Sequence, residues 1–296
     1  MKTKRKARLD AEKEADKKGV ELTYPTHADL RAEAREEDPA VVLTVKDADG
    51  NVVRRLAGPS KAGIQRVAWD LRFPPANPTR LTPPPADNPF FDPPEGPLVV
   101  PGSYSVSFET RVDGVLQPFG TPQSFTVESL GLQTLKAADA AELLAFQKKT
   151  AGLQRAVLGA VEVADEAQNR LKAAKKAIDD TPGADPALGA EARRIERALD
   201  DLMLGLRGDR ALEARYEATP MTTTDRIRAI VGAQWSATVA PTGTSRQAYA
   251  DAADAFEKQL ATLRTLLDTD LRALETAMEK AGAPWTPGRL PIWLKE

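Results

Sequence analysis

The chain has 296 residues, of which 42% are hydrophobic, 28% charged and 5% aromatic, with a formal net charge of -2. That length predicts two domains rather than one, with cores built from Ala and Leu more than from rings. The near-zero charge points away from nucleic acid. The absence of cysteine excludes disulfides, thiolate catalysis and cysteine-based zinc sites, while no apolar run nears the roughly 18 residues that span a bilayer.

The opening "MKTKRKARLDAEKEADKKG" is basic at its start without the apolar core of a signal peptide. Residues 5–18 predict a helix that stops at Gly19, and "THADLRAEAREED" predicts a second after Pro25. Both are polar, so residues 1–38 read as surface helices. The period then changes. "AVVLTVKDADGNVVRRL" predicts two strands around a tight turn at Asp49-Gly50-Asn51. "IQRVAWDL" predicts a third strand, "GSYSVSFETRV" a fourth and "QSFTVESL" a fifth, with Asp113-Gly114 as the turn between the last two. Residues 73–101 hold 11 of the 23 prolines, and proline cannot donate to a sheet ladder, so this stretch reads as a stiff surface loop. Residues 39–130 together read as a β-sandwich.

Beyond about residue 135 a heptad takes over. Leu143, Phe146, Thr150, Leu153, Val157, Ala160, Ala164, Ala167, Leu171, Ala174 and Ile178 follow steps of three and four, predicting a helix over 136–180 of roughly 65 Å at 1.5 Å per residue. "TPGADP" turns the chain. Leu188, Ala192, Ile195, Leu199, Leu202 and Leu206 repeat the stepping in a second helix. A third starts at the threonine run of "TTTDRIRAIVGAQW", and a fourth follows "APTGTS" with Tyr249, Phe256, Leu260, Leu263, Leu267, Leu274 and Met278 inward. The expected architecture is α+β multidomain: an Ig-like β-sandwich, an elongated antiparallel helical bundle over 136–281, and an extended tail over 282–296.

Candidate chemistry is sparse. Asp70, Asp92 and Glu95 can be posed as glycosidase carboxylates, but they flank the proline-rich loop, and "WDL" is accounted for by Trp69 filling a core while Asp70 faces a turn. "DADGN" lacks the ligand at position twelve of a calcium loop, since Arg54 and Arg55 intervene. His27 is the sole histidine, which excludes a multi-histidine metal site and leaves a solvated side chain. "GPSKAG" and "PTGT" lack the strand-loop-helix setting of phosphate loops and read as turns. "KTKRKAR" is followed by Asp10, Glu12, Glu14 and Asp16 without aromatics, a solvated helix end more than a nucleic-acid patch. No catalytic, cofactor-binding or metal residue is assigned.

"DADGNVVRRLAGPSKAGIQRVAWDLRFPP", "GPLVVPGSYSVSF" and "PQSFTV" resemble the Ig-like domain of bacterial BNR-repeat glycosyl hydrolase or sortilin-like β-propeller proteins, and more loosely that of the flagellar hook-cap protein. "IVGAQWSATVAPTGTSRQAYADA" and "GAPWTPGRLP" resemble the helical tail of those propeller proteins, so the likeness covers most of the chain from about residue 5. It implies that Asp49-Gly50-Asn51, Trp69-Asp70-Leu71 and Pro101-Gly102-Ser103-Tyr104 are turns and strand ends, none of them catalytic. It also implies the C-terminal part of a longer, periplasmic or extracellular protein whose propeller lies upstream. The implied partners are that propeller and a protein or glycan, with no nucleic acid and no membrane insertion. Because the resembling proteins carry a strand ahead of the basic helix, the likeness further implies a sheet lacking one edge strand.

Overall fold

The computed structural model describes residues 2–82, 93–131, 137–293 and 295. The chain divides into two compact units: residues 1–74 with 98–134, and residues 75–97 with 135–296. Residues 75–82 and 93–97 of the proline-rich stretch thus belong with the helical unit. The fold is mixed α+β, a four-stranded antiparallel sheet in the N-terminal part and a largely helical C-terminal region.

In the first unit, α1 (Lys4–Lys17) and α2 (His27–Arg35) bury no residue. Thr3 caps α1, and Thr26 with Asp29 forms a reciprocal capping box on α2. The strands β1 (Ala40–Lys46), β2 (Val52–Gly58), β3 (Gly102–Val112) and β4 (Val115–Val127) pair in the order β2-β1-β3-β4. In the first hairpin, Asp47 accepts from the backbone N–H groups of Asp49 and Asn51 at 3.1 and 2.8 Å, with Gly50 at φ 81°. In the β3–β4 hairpin, Asp113 and Gly114 both take positive φ (50° and 77°) between the paired Val112 and Val115. That two-residue geometry suits the right-handed twist of the flanking strands, and an Asp-Gly pair tolerates it.

The third expected strand, over 64–71, is corrected. Val67 and Trp69 are half-buried between exposed neighbours, so the alternation is present, but the backbone joins no ladder. Its links are an isolated Arg72–Leu98 bridge and the Val99 amide donating to the Leu71 carbonyl at 2.8 Å, with Leu71 itself at φ 56°. Alternation reports which side chains face inward; it does not report whether the backbone finds a partner. The segment instead delivers Trp69 to the core of Val45, Val53, Val99 and Tyr104, with Phe73, Val106, Phe125 and Val127 around it. Trp69 meets Tyr104 and Phe125 edge-on at 5.9 and 6.1 Å, and the last two stack at 5.9 Å.

In the second unit, α3 (Ala137–Asp179) packs on α4 (Pro186–Arg207), α6 (Thr223–Gln234) and α7 (Gly243–Thr265). The short α5 (Arg210–Glu213) follows α4, and α7 continues through a π-helical turn (Leu266–Leu271) into α8 (Arg272–Lys280). Most of the stepped residues are in the core: Val157, Ala164, Ala167, Leu171, Ala192, Ile195, Leu199, Leu206, Leu274 and Met278 are buried almost completely, and Leu153, Leu188, Leu260 and Leu267 are partly buried against them. Residues 282–293, expected as an extended tail, carry a turn at 287–288 and bury Ala283, Thr286 and Arg289. No described helix is long and apolar enough to cross a membrane.

Candidate functional site

Helix α3 turns a polar stripe inward ahead of its alanine-rich middle. Gln147, Thr150 and Gln154, spaced by three and four residues and so on one helix face, are 2%, 0% and 8% exposed. Opposite them α6 brings Thr224 and Gln234, and α7 brings Ser245. Gln147 Nε2 donates to the Gln234 carbonyl at 2.5 Å, and Gln234 Nε2 donates to Ser245 Oγ at 3.3 Å. The stripe is only partly satisfied. Thr150 Oγ1, Gln154 Oε1, Thr224 Oγ1 and Gln234 Oε1 are buried with no hydrogen-bond partner among the described residues. A buried polar atom left alone costs about 1–3 kcal/mol, so four in one region mark a place that calls for an explanation.

Two of these atoms belong to residues lining a pocket of about 710 Å³, within the range of small-molecule sites. Gln154, Val157 and Leu158 of α3 form one wall, Thr224, Ile227, Arg228 and Val231 of α6 the other, with Trp235 at the end. Pro93, Pro94 and Glu95 complete the rim, held by the Trp235 indole N–H, which donates to the Glu95 carbonyl at 2.9 Å. The local sequence explains α6: the Thr222–Asp225 capping box starts it, placing Thr224 in the first turn. Arg228 at the mouth pairs with Asp225 at 3.1 Å. The polar atoms without partners are amide and hydroxyl oxygens, which hydrogen-bond but do not exchange protons near neutrality.

A second concavity of about 500 Å³ lies beside α7. Lys149 sits over the Tyr249 ring at 4.3 Å and Arg246 near Phe146 at 5.9 Å, the two rings meeting edge-on at 5.9 Å. Burial raises the Tyr249 pKa, and Arg246 pairs with Glu142 at 2.5 Å.

Of the sequence-predicted positions, Glu95 is at the rim of the first pocket, and the other described ones lie elsewhere or act as scaffold. Asp70 is exposed, its Oδ1 accepting from the Arg72 amide at 3.1 Å and its Oδ2 lying 4.0 Å from Arg54. Trp69 donates its indole N–H to the Arg72 carbonyl at 3.0 Å. Glu95 is exposed and belongs to the other unit; Asp92 lies outside the described residues. His27 is the exposed first residue of α2. The basic cluster is engaged with acids: Lys2 with Asp10, Lys4 with Asp113, and Arg8 with Glu12 and Glu33, each at 2.6 Å. Hydrogen bonds from Arg8 hold the Glu33 carboxyl below its ordinary value. "PTGT" supplies Thr242, the N-cap of α7. Among the described residues no three His, Asp or Glu side chains gather as a metal site. The pocket residues escaped sequence reading because a search for apolar periodicity passes over Gln147 and Gln154, although the two stand one heptad apart and each directly follows a heptad position.

The chain matches no family model, no curated protein and no solved structure.

Proposed function

We propose that the chain is a non-catalytic accessory and interaction module, the C-terminal part of a BNR-repeat or sortilin-like β-propeller protein. In this reading the first unit is an Ig-like domain in which the extended stretch around Trp69 covers the sheet as a second layer, and the second unit is an elongated antiparallel helical bundle. The propeller and a protein or glycan are its partners. The observation that carries the reading is how the polar groups are used. Asp70 and the hairpin aspartates serve turns, and the buried atoms of Gln154 and Thr224, two residues that line the α3–α6 pocket, are a neutral amide and a hydroxyl without a partner among the described residues, the equipment of recognition. The second reading, part of a glycosyl hydrolase with its active site in the propeller, draws on Glu95 at the pocket rim.

Two measurements test this. An antibody raised against the chain should detect, in the source cells, a species far larger than its 32.0 kDa that contains repeated Ser-x-Asp-x-Gly boxes; a band at that mass alone would remove the propeller linkage. The purified chain should not turn over aryl glycosides or sialosides. Turnover abolished by Asp70→Asn or Glu95→Gln, with folding intact, would establish a hydrolase instead.

A further inference from the structure

We propose that the concavity between α3 and α7 is a binding site for an apolar monocarboxylate, supplied as a free acid or as the C-terminal residue of a peptide. The proposal goes beyond the module reading and does not rest on the propeller linkage, because every residue it uses belongs to the helical unit. Phe146 and Lys149 of α3 stand one turn apart, and Arg246, Tyr249, Ala250 and Ala253 of α7 share one helix face. The two alanines supply only methyl groups, which leaves the space of about 500 Å³ open between the helices.

The cationic heads are located by the rings they lie over. Lys149 Nζ is 4.3 Å from the centroid of Tyr249, and the Arg246 guanidinium carbon is 5.9 Å from that of Phe146. All four residues line the concavity, so positive charge is held against its aromatic wall. The two cations are not equivalent. Arg246 is paired with Glu142 at 2.5 Å, whereas Lys149 is exposed and pairs with no carboxylate among the described residues. An ammonium carries three donors and a ring face satisfies one of them, so a carboxylate is the group that takes the rest while matching the charge.

Charge and shape disfavour the other classes. A cationic ligand meets Lys149 and Arg246, and a saccharide finds those same cations over the ring faces on which it would stack. A phosphate dianion or a dicarboxylate meets Asp254, which lines the far end of the concavity five residues past Tyr249, about 7.5 Å along α7. The ligand therefore carries one negative charge toward Lys149 and an apolar body toward Ala250 and Ala253.

The test is titration of the full chain with 4-methylpentanoate, N-acetyl-alanyl-leucine and N-acetyl-leucine amide in parallel, followed by the side-chain NMR signals of Phe146, Tyr249 and Ala250. Both carboxylates should saturate the site, with a Kd on the order of 1 mM for such small probes, and the neutral amide should not bind in that range. Tighter binding of the dipeptide by tenfold or more would identify a peptide C-terminus as the source, and equal or tighter binding of 4-methylpentanoate a free acid. Lys149→Met keeps the stem of an exposed side chain and removes its charge, so it should weaken binding roughly tenfold with the melting temperature unchanged. Ala250→Leu, at an exposed position, should fill the concavity and abolish binding. Hexanedioate should bind more weakly than 4-methylpentanoate, and Asp254→Asn should narrow that difference, which a purely structural role for Asp254 would leave unmoved. Amide binding as tight as that of the carboxylates, shifts that never saturate, or unchanged affinity in Lys149→Met would overturn the site, and a preference for hexanedioate would overturn the single-charge assignment.

Discussion

The two units reach stability by different routes. In the helical unit, Val157, Ala164, Leu171, Ala192, Ile195, Leu199, Leu206, Leu271 and Met278 are all essentially inaccessible to water and form one continuous core. Among its described residues the sheet unit clusters four buried hydrophobic residues, Val45, Val53, Val99 and Tyr104, and relies on half-buried aromatics to complete them. A heptad places every third or fourth side chain against a partner, so burial accumulates along the helix. One sheet face receives only alternate residues, and large rings must cover what is left. The second unit should therefore be sensitive to lost volume at many sites, the first to the loss of one ring.

The largest expected effect is in the helical core. Leu171→Ala removes a side chain with no exposure and should destabilise that unit by roughly 2–5 kcal/mol, as other buried leucine truncations do. Urea titration followed by helical circular dichroism measures it. A loss below about 1 kcal/mol would mean that the core collapses around the gap and that the contrast in packing is weaker than the burial pattern implies. Trp69→Phe probes the other side of the contrast. It keeps an aromatic ring but deletes the indole N–H bond to the Arg72 carbonyl and part of the contact with Tyr104 and Phe125, for about 1–2 kcal/mol. Hydrogen exchange at β3 and β4 amides should accelerate while the α3 and α4 amides keep their rates. Acceleration in both sets would show one cooperative unit where two are inferred.

The same contrast explains what could be read from the sequence. The helix over 136–180 and the structure's Ala137–Asp179 agree closely, because a period of 3.5 over eleven positions has few other interpretations. The two hairpin turns were legible for a different reason: Gly50 and the Asp113-Gly114 pair carry positive φ, which few other residues adopt at low cost. Strand status at 64–71 was not legible, since Val67 and Trp69 alternate correctly without a ladder partner. The pocket was hidden more deeply still. Gln154 and Thr224 are ordinary surface residue types, and only the packing of α6 on α3 makes their oxygens buried and unpartnered.

A smaller effect should follow from the turn itself. Gly114 sits at φ 77°, and a left-handed conformation costs a residue with a Cβ about 1–2 kcal/mol. Gly114→Ala should lower sheet stability by that amount, with Gly114→Asn losing less because Asn tolerates the region better. If both substitutions are neutral, the turn adapts, and the contrast between a sequence-dictated hairpin and an adaptable one would need revision.

The smallest effect concerns the tail packed on the helical unit, and it is driven by pH. Glu279 accepts from the Arg289 guanidinium and from the Ile292 amide, and these bonds, that to Arg289 foremost, hold its carboxyl below its ordinary value of 4.5. Arg289 itself is 7% exposed and also donates to the carbonyl of Pro284 at 2.8 Å. Trp285 donates to the Arg289 carbonyl at 2.7 Å, so one buried guanidinium organises the whole segment. The folded carboxyl binds its proton less tightly than the unfolded one, so its contribution is present above pH 4.5 and is lost as the pH falls through the lower folded value. Acidification should therefore loosen residues 282–293 while the heptad core, whose buried residues are apolar, stays folded. Fluorescence of Trp285 and Trp293 against helical circular dichroism would separate the two events. Glu279→Gln should loosen the tail at neutral pH and abolish the acid-dependent step. If the helices and the tail instead respond together, the tail is part of the core, and dependence on a few contacts belongs, among the described residues, to the sheet unit.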